Sequence, residues 1–161
     1  MTALTLQRRK GEIIGFDGHK RVKGAKIHAL VTTQSLPVSI LLGQANEHDS
    51  RKLIPLVECI HLRKPNELYA DKAYYTFIVR WYLSEKRIKA QIPKRSKKRH
   101  RGRPPTFDKA GYKKNRSSVE RFFSWLKMGF RRLAVRYERL QSTFLGFVHL
   151  ACFVIHWRVL K

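Results

Sequence analysis

The chain has 161 residues, 43% hydrophobic and 11% aromatic, enough for one folded domain with a core and too much to be an intrinsically disordered chain. Lys and Arg number 35 against 11 Asp and Glu, and a net charge of +24 would repel itself unless a polyanion were near. Nucleic acid is the first partner this implies, ahead of an anionic membrane surface, although a small RNA-associated protein would look the same by charge. The opening residues, MTALTLQRRK, show no clear pattern. A loosely alternating stretch ending in β-branched residues then predicts a strand over Ala25 to Thr33. After the turn QSLP, the run VSILLGQA (Val38 to Ala45) predicts a second strand that closes a hairpin with the first. Asp49 or Ser50 is placed to cap a helix whose apolar positions are Leu53, Leu56, Val57 and Ile60, with Pro55 in its first turns.

Further along, Glu67 to Ala70 reads as a short strand that ends at Asp71. Tyr75 to Lys86 has helical spacing, and RIKAQIP reads as another short strand. This alternation of strand and helix predicts an α/β domain with parallel pairing on one side of the hairpin. Residues 94–106 form a basic loop containing RGRPP. The segment DKAGYKKNRSSVERFFSWLK turns helical, with a break at Gly129, and a last helix runs from Gln141 to Arg158. Its apolar run, Thr143 to Trp157, is shorter than the roughly 20 residues a membrane span needs and reads as a buried core helix. Cys59 and Cys152 read as reduced core residues of a cytosolic protein. His149, Cys152 and His156 share one helix face without an evident fourth ligand, so they read as packing and not as a zinc site.

On a helix, Arg116, Glu120 and Lys127 fall within about 40° of one another, while Phe122, Trp125 and Leu126 point elsewhere. Glu120 is thus displayed on a basic stripe. Asp71 sits where a strand ends, the edge at which α/β sheets gather polar functional groups. A strand-end Asp and a helix-borne Glu flanked by cations suit a divalent metal held between carboxylates, with Arg and Lys on phosphates. Plainer roles exist for each. Asp71 could cap the following helix, Glu120 could only pair with Arg116 on the surface, and Asp49 reads as an N-cap. Arg101 and Arg103 in RGRPP form a candidate minor-groove hook, against the plainer reading of a solvated loop on phosphates.

The segments YADKAYY, YKKNRSSVERFFSWLK and RRLAVRYERL together resemble the second half of the catalytic domain of insertion-sequence transposases of the DDE type. GFDGHKRVKGAKIHALVTT and LLGQANEHDSRKLIPLV are similar to the segment between that family's first two catalytic acids. The resemblance implies a ribonuclease H-like α/β fold, a mixed sheet flanked by helices, and one catalytic domain spanning 1–161. It implies DNA transposition through cleavage and transfer of DNA strands with Mg²⁺ or Mn²⁺. By match, Asp71 is the second catalytic and metal-binding acid and Glu120 the third. Arg116 and Lys127 match the Arg-x3-Glu-x6-Lys signature and, with Lys72, Arg121, Arg101 and Arg103, are the expected DNA contacts. Arg131, Arg132, Arg136 and Arg139 are further candidates. Double-stranded DNA is the implied partner, a homodimer the implied assembly, and the bacterial cytoplasm and nucleoid the implied location, with no membrane. The family's first catalytic Asp has no counterpart, since no acid precedes Glu12. Asp17, in GFDGHK, is a minor candidate to replace it. The expectation is therefore a partial domain lacking its first strand, from a truncated or split reading frame, with weakened metal binding. The alternative is a catalytically inactive DNA-binding remnant.

Overall fold

The computed structural model describes residues 2–7, 10–61, 63–94 and 107–161. The predicted hairpin is present. Strand β3 (Val22–Val31) runs antiparallel to β4 (Pro37–Gln44), with a register shift between Leu30 and Val31. Its other edge carries β1 (Thr2–Gln7), antiparallel, with Thr2 opposite Ala29 and Gln7 opposite Gly24. The short β2 (Gly15–Asp17) pairs with the start of β3. The opening residues are therefore a strand after all. Leu4 and Leu6, two residues apart, both pack on the core and Leu6 is buried, as a strand's period of two requires.

The second sheet is a parallel pair, β5 (Glu67–Tyr69) and β6 (Lys89–Gln91), joined through α2 (Phe77–Glu85), the predicted crossover. Thr76 caps α2 by accepting from the Val79 N–H. The helix after β4 opens with a 3₁₀ turn (Asp49–Lys52) and continues as α1 (Leu53–Glu58). Its cap is His48, whose ring accepts from the Ser50 N–H, and not Asp49 or Ser50. Asp49 is drawn away by Lys26 across the sheet, at 3.0 Å.

Helix α3 (Lys109–Gly129) ends at the predicted glycine and is followed by the single turn α4 (Arg131–Ala134) and by α5 (Gln141–Leu160). Two apolar cores result. One joins α1, α2, β5 and β6 around Leu53, Leu56, Leu68, Tyr74 and Leu83. The other seats α3 and α5 on the antiparallel sheet through Leu6, Ile27, Phe122, Leu126, Phe144 and Val148.

Helix α5 departs from the core-helix expectation. It reaches Leu160 and so has 20 residues, long and apolar enough to cross a membrane by length and composition. Only the stripe Phe144, Val148, Ala151 and Ile155 is buried, while Leu150, Phe153, Trp157 and Leu160 are exposed. Cys59 is likewise exposed, whereas Cys152 is half-buried and its thiol is pushed up to about 12 by that burial. His156 contacts the Cys152 carbonyl through Nδ1 at 2.9 Å, and no metal-holding group of three His, Cys, Asp or Glu occurs among the described residues.

Candidate functional site

Asp71 directly follows β5 and the buried Ala70, where the chain leaves the sheet for the 3₁₀ turn Lys72–Tyr74. Its backbone is extended and its side chain makes no capping hydrogen bond, which removes the plainer reading of Asp71 as a helix cap. Its carboxylate Oδ1 instead accepts from the Tyr112 hydroxyl at 3.1 Å. That phenol is held above its usual range by partial burial first and by the adjacent Asp71 charge second.

Tyr112, Arg116 and Glu120 follow one another at intervals of four along α3 and form one stripe. Asp108 fixes the start of this helix. It accepts from the Gly111 N–H at 2.9 Å, and its own N–H donates to the Gln91 side chain at the end of β6. The cap therefore ties α3 to the parallel sheet that delivers Asp71. Val119, Phe122 and Leu126 bury the inner side of α3, which turns the Arg116–Glu120 side outward.

The structure brings Asp71 and Glu120 to the walls of one small pocket of about 120 Å³, together with Tyr69, Ala70, Tyr112, Asn115, Arg116 and Val119. The Arg116 Nε lies 3.4 Å from Glu120 Oε1, and both side chains are more than half exposed, so the pair contributes little to stability. Two carboxylates that open to solvent, one of them oriented by a phenol, fit a hard divalent ion that keeps most of its water. The described residues add no third acid. Asp17 lines a different pocket with Lys26, His48 and Asp49. Its Oδ1 accepts from the His19 and Lys20 N–H groups, a turn-forming role.

The candidate DNA contacts divide. Lys72, Arg121 and Lys127 are exposed, as is Arg116, although Lys127 lies outside the pocket lining. Arg101 and Arg103 lie outside the described residues, as does most of the loop that carries them. Arg136 is not at the surface. It is 1% exposed, donates to the Glu12, Glu138 and Arg139 carbonyls, and lies over the Phe144 ring. Arg132 is engaged with Glu138 at 2.8 Å and stacks over Phe147. Sequence reasoning missed Tyr112. Its place four residues before Arg116 was visible, but its partner lies 41 residues away.

A family model described as Transposase DDE domain matches residues 2–155. The chain belongs to the transposase DDE domain family. It is 31% identical over 147 residues to a protein of Burkholderia cepacia named as transposase for insertion sequence element IS402, an alignment covering 86% of this chain and 65% of that protein. It is 35% identical over 137 residues to a Brucella ovis protein named as transposase for insertion sequence element IS6501, covering 83% of this chain and 98% of that protein. The chain thus spans slightly less than two thirds of the first relative and nearly all of the second. No solved structure matches it.

Proposed function

We propose that this chain is the catalytic part of an insertion-sequence transposase, a metal-dependent domain of ribonuclease H-like type that cleaves and rejoins DNA strands. The observation that carries the reading is the convergence of Asp71 and Glu120 on one pocket beside Arg116. Both relatives are named as insertion-sequence transposases, which supports DNA as the substrate class. Asp71 and Glu120 would hold Mg²⁺ or Mn²⁺, which when bound polarises a phosphodiester and lowers the pKa of bound water. The chain's own groups do the rest. Tyr112 fixes the Asp71 carboxylate, and Arg116, Lys72, Arg121 and Lys127 offer cations to the backbone phosphates of double-stranded DNA. A DNA-acting role of this kind belongs in the bacterial cytoplasm.

A second reading is a DNA-binding remnant without catalysis. It is favoured by the lack of a third acid near Asp71 and Glu120 among the described residues. Nicking of supercoiled DNA in Mg²⁺ or Mn²⁺ separates the two. The first reading expects nicking by the parent chain and its loss in Asp71→Ala and in Glu120→Ala, with duplex affinity retained. A parent chain that binds DNA with no metal-dependent nicking would establish the remnant instead.

A further inference from the structure

One side of α2 faces the core, where Val79, Tyr82 and Leu83 are buried. Its other side is aromatic and bare. Phe77 is 83% exposed and Trp81 60% exposed, with Ile78 exposed beside them. Four residues apart on a helix, Phe77 and Trp81 project within about 40° of each other, so the two rings make one surface. Rings this open remove little apolar area from water, so the fold does not depend on them. The topology ties this surface to Asp71. Helix α2 is the crossover between the parallel strands β5 and β6, and its first turn begins at the sheet edge where β5 ends in Asp71. Cations border that end. Lys72 is exposed next to Asp71, and the Arg80 guanidinium lies 5.0 Å over the Tyr75 ring while donating to its hydroxyl at 3.0 Å. The acid of this helix, Glu85, is its last residue and stands at the far end.

We propose that Phe77 and Trp81 form a stacking platform for unpaired nucleobases of a DNA strand that passes the Asp71 pocket. The proposal rests on the reading of this chain as a DNA-cleaving domain and adds a single-stranded ligand to the duplex. Every base has a π-face, so an open aromatic ring takes it without regard to sequence, while neighbouring cations hold the phosphates. Charge and composition decide this occupant over an apolar protein surface. The chain carries +24, and the platform end of α2 holds cations and no acid. Its exposed apolar groups are two aromatic rings and a single aliphatic side chain, Ile78, with the stacked Arg80–Tyr75 pair alongside. The exposed strip of α5 is different in kind, since Leu150 and Leu160 accompany Phe153 and Trp157 there.

Fluorescence anisotropy without divalent metal tests the platform on three labelled DNAs: a blunt duplex, the same duplex with a short thymine overhang, and that overhang made abasic. The abasic form keeps the phosphates and removes the bases. The parent chain is expected to bind the thymine overhang about tenfold tighter than either control. Joint Phe77→Ala and Trp81→Ala substitution should erase that preference, with blunt-duplex affinity and the urea midpoint unchanged. Joint Phe77→Leu and Trp81→Leu substitution keeps apolar side chains without π-faces and should erase it too. Equal binding of thymine and abasic overhangs by the parent chain overturns the proposal. An equal loss on all three DNAs in the Ala variant also overturns it, as does full preference in the Leu variant, which would mark a plain apolar docking face. Overhang preference without metal-dependent nicking would support the platform and count against the cleavage reading alone.

Discussion

His28 is fully buried in the middle of β3, and neither ring nitrogen has a hydrogen-bond partner among the described residues. Burial holds its pKa down to about 4, with Lys26 and Lys52 acting in the same direction and Asp49 and Glu47 against it. The imidazole is therefore neutral in the folded chain wherever an unfolded histidine would begin to charge. Between pH 6.5 and about 4 the unfolded state binds the extra proton, so stability rises with pH across that window. The contribution is complete above pH 6.5 and is lost as pH falls through about 4, up to about 3 kcal/mol. Urea midpoints measured from pH 7 to 4.5 should fall in the parent chain and fall less in His28→Leu. Equal slopes in the two chains would show that His28 is hydrated or paired in solution. The immediate surroundings leave little room for compensation. A Cβ at Gly43 would lie 3.0 Å from His28 Nε2 and 2.9 Å from Glu47 Oε2, so the sheet closes over this ring because residue 43 has no side chain.

At the level of elements, how far the fold was legible depended on whether local pattern or tertiary contact decides the outcome. The β3–β4 hairpin, the strand ending at Asp71 and helix α3 follow from period and punctuation alone, and the structure has all three. Strand β1 carried only the Leu4–Leu6 pair as a period-two signal, too short a repeat to separate a strand from a loop. Helix α5 shows the opposite limit. It is apolar on every side, so its sequence does not say which side meets the sheet. Capping divides in the same way. Asp49 looked like the cap of the following helix, and only the fold reveals Lys26 drawing it off. Asp108 does cap α3, and that cap sets the phase in which Tyr112, Arg116 and Glu120 face Asp71. Asp108→Ala is expected to cost about 1 kcal/mol in urea unfolding and to speed exchange over the first turn of α3. Destabilisation without faster exchange there would mean that Asp108 matters through its link to Gln91 and not as a cap.

For the whole molecule, the 35 basic side chains are not equivalent, and solution behaviour should divide them as the structure does. An exposed cation that neutralises a phosphate releases a counterion, so log K for duplex DNA falls with log salt at about 0.9 per contact. Lys127 stands exposed on the same stripe as Arg116 and Glu120, and Lys127→Gln should flatten that slope by about 0.9 with no change in stability. Arg136 belongs to the other kind. It ties the Glu12 carbonyl to the segment between α4 and α5 through three main-chain acceptors, with its guanidinium over Phe144. Arg136→Gln should leave the salt slope untouched and lower unfolding free energy by about 3 kcal/mol, because several carbonyls lose a charged donor at once. Fluorescence anisotropy on a labelled duplex between 50 and 300 mM salt, run beside urea melts, reads both effects on the same proteins. A flattened slope in Arg136→Gln, or a stability loss in Lys127→Gln, would mean that the buried and exposed cations exchange roles in solution.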